Sequence, residues 1–291
     1  MTFTDIEAFE TAAREFIERT LPTIEWPSTP SDGRDRRSLF TPRAVDDAMV
    51  PISRQWRRAK FDAGFGWITG PAALGGAGLS EAHELRYQEI EQGYRVPNEE
   101  CFATGADLAT VILEHGNDVL RSFPHALARG DLIACLLMSE PDAGSDLAAL
   151  RTRAVRDGGD WIVTGSKVWS SRTHYADVGL LLARTGTEEE RHRGITAFVL
   201  DIRSPGVDVQ PLRQLTGDAG FNQVSMDDVR VPDERRLGNV GAGWAISNAV
   251  LGASRRALAR SRRRGGPGGN AAVASAERIA GLMGRLGKSR D

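Results

Sequence analysis

Cysteine is scarce in this 291-residue chain, and what little there is has no framework to join. Cys101 and Cys135 both stand in apolar surroundings and read as buried free thiols rather than as a disulfide. Two cysteines also leave no structural zinc site. The five histidines, His83, His115, His125, His174 and His192, lack the spacing of a metal-ligand motif, so no metal is expected. No apolar run approaches the roughly 20 residues that span a bilayer; the longest lie near 132–138 and 178–183. The acidic opening Met1-Thr-Phe-Thr-Asp-Ile-Glu7 lacks the basic and apolar regions of a secretion signal, and the chain reads as cytoplasmic with no membrane partner. No G-x-G-x-x-G follows a strand pattern, so a Rossmann fingerprint is absent too.

What is present describes a globular protein of about two domains: 41% hydrophobic and 26% charged residues. The near-neutral total of −2 conceals an asymmetry, because residues 255–291 carry ten Lys/Arg against two Asp/Glu. Residues 4–20 have a helical face of Ile6, Phe9, Ala13, Phe16 and Ile17, with Thr4 and Glu7 spaced as a capping box. Thr41-Pro42 restarts a helix, which Pro51 is expected to break or kink. Helical patterns at 81–93, 100–115 and 117–129, with Gly116 and Gly130 as stops, complete an all-helical domain over 1–130. From Asp131 the period changes. Segments 151–156, 161–169, 178–184, 195–201 and 221–231 are short and β-rich, and Asp157-Gly-Gly-Asp160 signals a tight hairpin. A middle antiparallel β-domain over 131–233 is expected, followed by a helix over 234–264 and a Gly/Arg-rich tail over 265–291. The class is α+β with segregated domains.

One stretch organises the rest: Cys135-Leu-Leu-Met-Ser-Glu-Pro-Asp-Ala-Gly-Ser-Asp146. A strand-like apolar run ends in a carboxylate, a proline and a small-residue turn that delivers Ser139, Gly144 and Ser145 to one strand end, where ligand donors collect. A plain strand-to-loop exit accounts for this turn equally well.

Three motifs together resemble the acyl-CoA dehydrogenases, flavoproteins with a helical domain, a β-domain and a C-terminal four-helix bundle. Pro71-Ala-Ala-Leu-Gly-Gly-Ala-Gly-Leu-Ser80 is similar to that family's P-E-x-x-G-G-x-G-L-S, Ser139-Glu-Pro-Asp-Ala-Gly-Ser-Asp146 to T-E-P-x-A-G-S-D, and Gly165-Ser-Lys-Val-Trp-Ser-Ser171 to G-x-K-x-W-I-T. They run in the family's order over roughly residues 1–256. The resemblance implies FAD as cofactor, with Leu136, Met138 and Ser139 lining the flavin. Gly144 and Ser145 would approach its pyrophosphate and the thioester ligand, Trp169 would flank the isoalloxazine, and Ser171 would offer a hydroxyl to the ring. It also implies α,β-desaturation of an acyl thioester of CoA or of a carrier protein. An electron-transfer flavoprotein would receive the electrons, and the assembly would be a homo- or hetero-oligomer with a related subunit. Arg255 matches an arginine near the substrate, with plain helix solvation as an equal rival.

The same resemblance exposes a gap. The family's base is a glutamate in the C-terminal bundle, a domain largely missing here, or in a minority a glutamate on that bundle's first helix. Leu251-Gly-Ala-Ser-Arg255 puts Ser254 at the minority position, and a serine hydroxyl is no base at neutral pH. The catalytic base is therefore unassigned. A truncated or atypical member, or a non-catalytic partner subunit of a full-length relative, both fit. The tail reads as a disordered remnant, a docking segment for such a partner, or, without any recognisable reading module, a nucleic-acid contact.

Overall fold

The structure is a computed structural model that describes residues 5–26, 43–215 and 219–263. The tail over 265–291, the Thr41-Pro42 restart and Thr4 lie outside the described residues. Helix α1 (Ile6–Thr20) is capped by Asp5, whose carboxylate accepts from Ala8 N at 2.7 Å, so the cap sits one residue beyond the expected Thr4. It buries Phe9, Ala13, Phe16 and Ile17, while Ile6 stays exposed. Helix α2 (Arg43–Asp62) runs through Pro51 without a break, contrary to the expected interruption. The burial of Trp56 against α1's Phe16, ring centroids 5.4 Å apart, supplies packing that outweighs one lost backbone hydrogen bond. Helices α3 (Glu81–Glu91), α4 (Ala103–His115) and α5 (Phe123–Arg129) follow, the last stopped by Gly130 at φ +83°. Only the end of the expected 117–129 helix is α-helical; Leu120–Ser122 forms a 3-10 turn.

Eight strands then form one sheet: β1 (Ala134–Leu137), β2 (Arg153–Asp157), β3 (Asp160–Ser171), β4 (Val178–Arg184), β5 (Ile195–Asp201), β6 (Val207–Leu212), β7 (Phe221–Pro232) and β8 (Arg236–Leu237). The spatial order is β6-β7-β3-β2-β4-β5-β8, with β1 beside β4. The sheet is mixed rather than wholly antiparallel, because β1 and β2 both run parallel to β4. The Asp157–Asp160 hairpin closes as expected, through Gly158 at φ +60°. Helix α6 (Gly243–Arg263) returns across the sheet.

Side-chain alternation along β1 splits the core in two. Ala134 and Met138 join α4's Leu108 and Ile112 and α6's Ile246 and Val250, with Leu136 and Leu251 packed at the margin. Cys135 and Leu137 face the opposite layer, with Trp161, Val163 and Phe198. The N-terminal helices hold the entry to β1: Arg54 donates to the carbonyls of Gly130 and Asp131 at 2.9 and 2.7 Å. Cys135 is buried and Cys101 half-buried, and neither is in a disulfide. Among the described residues no helix is long and apolar enough to cross a membrane, and no cluster of three metal-ligating side chains occurs.

Candidate functional site

The end of β1 and the end of β3 meet edge to edge. Val168 N donates to Ser139 O at 2.9 Å, so Ser139 and the 169–171 segment share one rim of the sheet. Beneath them lies a buried ion pair that the motifs alone do not single out. Lys167 Nζ, fully buried, donates to Glu140 Oε1 at 2.7 Å and to the Met138 carbonyl at 3.1 Å. Glu140 also accepts from Arg151 N at 2.6 Å and Thr152 N at 2.9 Å. Burial pulls the Lys167 ammonium down to about 8, with Glu140 opposing the drop. Burial also works against the Glu140 carboxylate, yet the ammonium and the donors to it hold the carboxyl below its ordinary range. At neutral pH both are charged, and together they lock β1's exit to β3.

A signal for Lys167 was present. Trp161, Val163 and Lys167 fall on one alternation of β3, so period two alone puts a lysine on the buried face. A charge there demands a partner.

Above the pair, β3 breaks step. A register shift between Lys167 and Ser170 lifts Trp169 out of the ladder at φ +60°, with 61% of its surface exposed. Its ring stands edge-on to Phe221 at 5.9 Å and 81°. That arrangement is an aromatic wall, not core packing. Ser171, paired with Phe221 across the β3–β7 ladder, is exposed beside it. Gly144 and Ser145 lie in the exposed turn after β1, which a reciprocal pair of backbone bonds between Glu140 and Ala143 closes at its base. A Cβ placed on Gly144 would meet no heavy atom within 4 Å, so this backbone is open to a ligand. Arg191, from the turn before β5, pins the end of the segment through Asp146 at 3.1 Å. Met138 is buried and Leu136 half-buried, both on the face covered by α4 and α6. Among the described residues the hydroxyls of Ser139, Ser145 and Ser171 have no hydrogen-bond partner within the chain.

Two residues singled out from the sequence lie on α6 rather than on the strands of this rim. Arg255 is exposed. Ser254 is half-buried, and its hydroxyl donates to the Asp107 carboxylate on α4.

Residues 135–229 match the family model described as Acyl-CoA dehydrogenase, middle domain. The chain is 42% identical over 193 residues to Acyl-CoA dehydrogenase FadE34 of Mycobacterium tuberculosis, a match covering 66% of this chain and 27% of that protein. It is 33% identical over 199 residues to Acyl-CoA dehydrogenase IpdE1 of the same organism, covering 68% and 52%. This chain thus spans between about a quarter and a half of the length of these relatives. Among solved structures it is similar to the ChsE4-ChsE5 complex from Mycobacterium tuberculosis, with a TM-score of 0.65, 29% identity and coverage of 87% of this chain and 61% of that one. A variant of the Tcur3481-Tcur3483 steroid ACAD gives a TM-score of 0.70 at 25% identity, covering 88% and 64%.

Proposed function

The chain belongs to the acyl-CoA dehydrogenase family through its middle domain, and on that premise we propose that it is an FAD-binding subunit for the α,β-desaturation of an acyl thioester. The observation that carries this reading is the shared rim: an exposed aromatic wall, three unpartnered hydroxyls and an open glycine turn, all fixed from below by Lys167 and Glu140. These residue types suit the cofactor. Trp169 covers one edge of a planar ring system and Ser171 and Ser139 offer hydrogen bonds to its heteroatoms. The backbone of Gly144-Ser145 can approach a pyrophosphate closely, since no side chain stands in the way. Bound FAD supplies the hydride acceptor that no amino-acid side chain provides. The protein's part is to hold the ring against the sheet rim, to exclude water with Trp169, and to orient the thioester near Ser145. Electrons would leave to an electron-transfer flavoprotein, and CoA and carrier-protein thioesters are both compatible with the rim.

The visible spectrum of the purified chain tests this directly, scored as flavin per protein. A flavin spectrum that bleaches on adding an acyl thioester, with or without a related subunit present, is the expected result. A chain that never takes up FAD, alone or with such a subunit, sinks the reading.

One observation favours a second reading: Ser254 stands where the resemblance puts a glutamate base. A non-catalytic subunit that completes the site of a related chain accounts for it, and the solved relatives include a two-component complex. Recovery of a stoichiometric hetero-oligomer from native cells would support this alternative, and recovery of this chain alone would count against it.

A further inference from the structure

Ser254 does not face an empty place: its hydroxyl is bonded to a carboxylate from another helix. Asp107 lies in the second turn of α4, immediately before Leu108, and Ser254 lies one turn beyond Val250 on α6. Leu108 and Val250 belong to the same core layer as Met138, and Leu136 packs on that layer. The pair therefore bridges the two helices that pack on the Leu136 and Met138 face of β1. Both residues are half-buried. Hydroxyl and carboxylate stand 147 residues apart in sequence, a pairing no local motif reveals.

Resting on the desaturation reading above, we propose that Asp107 is the general base for this chain, with Ser254 as its positioning residue. The Asp107 carboxylate takes a proton from Cα of the acyl thioester. The Cα–H bond breaks and its electron pair delocalises into the thioester carbonyl as an enolate, while a new O–H bond forms on Asp107. Return of a proton from Asp107 to Cα regenerates the thioester, so the step is reversible and needs no oxidant. Ser254, by donating to the carboxylate, fixes the orientation in which it meets Cα. The missing glutamate is in this view replaced by an aspartate that arrives from α4, its shorter side chain compensated by the helix that carries it.

Exchange of the Cα proton in D2O isolates this step from turnover. The full chain, loaded with FAD and with its related subunit if one is needed for loading, is incubated with octanoyl-CoA, and deuterium at Cα is read by mass spectrometry. FAD content and thermal unfolding are measured in parallel. Asp107→Asn is expected to slow exchange by about a thousandfold, within the range typical of losing a general base, with FAD content unchanged. Asp107→Glu retains part of the rate. Ser254→Ala lowers the exchange rate about tenfold at an unchanged half-saturating thioester concentration, a split that a general loss of structure would not give. Ser254→Glu in the Asp107→Asn background restores exchange. Wild-type exchange that Asp107→Asn leaves intact overturns the assignment of Asp107 but not the desaturation reading. A wild type that never exchanges, while Ser254→Glu does, has the same meaning. If neither exchanges although FAD is bound, the desaturation reading falls as well.

Discussion

At Trp169 a bulky aromatic residue adopts φ +60°, a conformation that costs about 1–3 kcal/mol and that persists only where the surroundings impose it. The bulge after Lys167 imposes it here, and the outcome is a ring turned to solvent. Trp169→Gly should therefore leave the free energy of unfolding within about 1 kcal/mol of wild type, since relief of strain offsets the flexibility of glycine. The same change should strip most of the bound FAD. Denaturant unfolding and flavin content, measured on one preparation, check both halves. Lys167 obeys the opposite rule. Removing one member of a buried ion pair strands the other, so Lys167→Met should cost about 3–5 kcal/mol. Adding Glu140→Gln should recover part of that, because it removes the stranded charge; its single amide oxygen can still accept from one of Arg151 N and Thr152 N, which now bond to separate carboxylate oxygens. Comparing the single and double variants in urea tests the pairing. The serines, Gly144 and Trp169 could be singled out in the sequence because they fall in two short contiguous motifs, 139–146 and 165–171. Asp107 was not, since its partner comes from a distant helix.

Among the elements, the helices and the long strands announced themselves by period. Strand β6, Val207–Leu212, did not: it is an edge strand whose polar residues and Pro211 look like loop. The two-residue β8 carries no period at all. The capping of α1 by Asp5 shows how a boundary can slip by one residue when neighbouring Thr4 and Asp5 are both suitable caps. Beyond β7, Asp233 does more than turn the chain. Its carboxylate accepts from Trp161 Nε1 on β3 at 2.7 Å and from Arg236 on β8 at 2.9 Å. Arg236 holds its pKa down to about 2, with Trp161 assisting. A carboxyl depressed in the folded state adds stability that is complete above its unfolded pKa and is lost as pH falls toward 2. Asp233→Asn is expected to be less stable by about 1 kcal/mol at pH 7, a figure reduced for solvent screening. The gap between variant and wild type should close between pH 4 and 2, as thermal unfolding across that window would show.

On the scale of the whole molecule, the α+β organisation followed from composition and period, but the mixed sheet did not. Parallel pairing of β1 and β2 with β4 is a long-range choice that alternation cannot encode. Strand β4 is the seam of the assembly. All seven of its residues are buried, and it is bonded to β1, β2 and β5. Its amides at 179–183 should be the slowest in the chain to exchange with deuterated solvent, since only global unfolding exposes them. Protection no greater there than at the edge strand β6 would contradict this placement. The seam also sets a timetable. On the ribosome β4 emerges before β5, which follows only at Ile195–Asp201, and before α6 at Gly243. At about 5–20 residues per second, an almost uncharged apolar strand waits a second or more for its partner. During that interval Val178–Ala183 is an adhesive segment on a nascent chain. The yield of soluble protein is thus governed by synthesis speed and chaperone supply as much as by the stability of the finished fold.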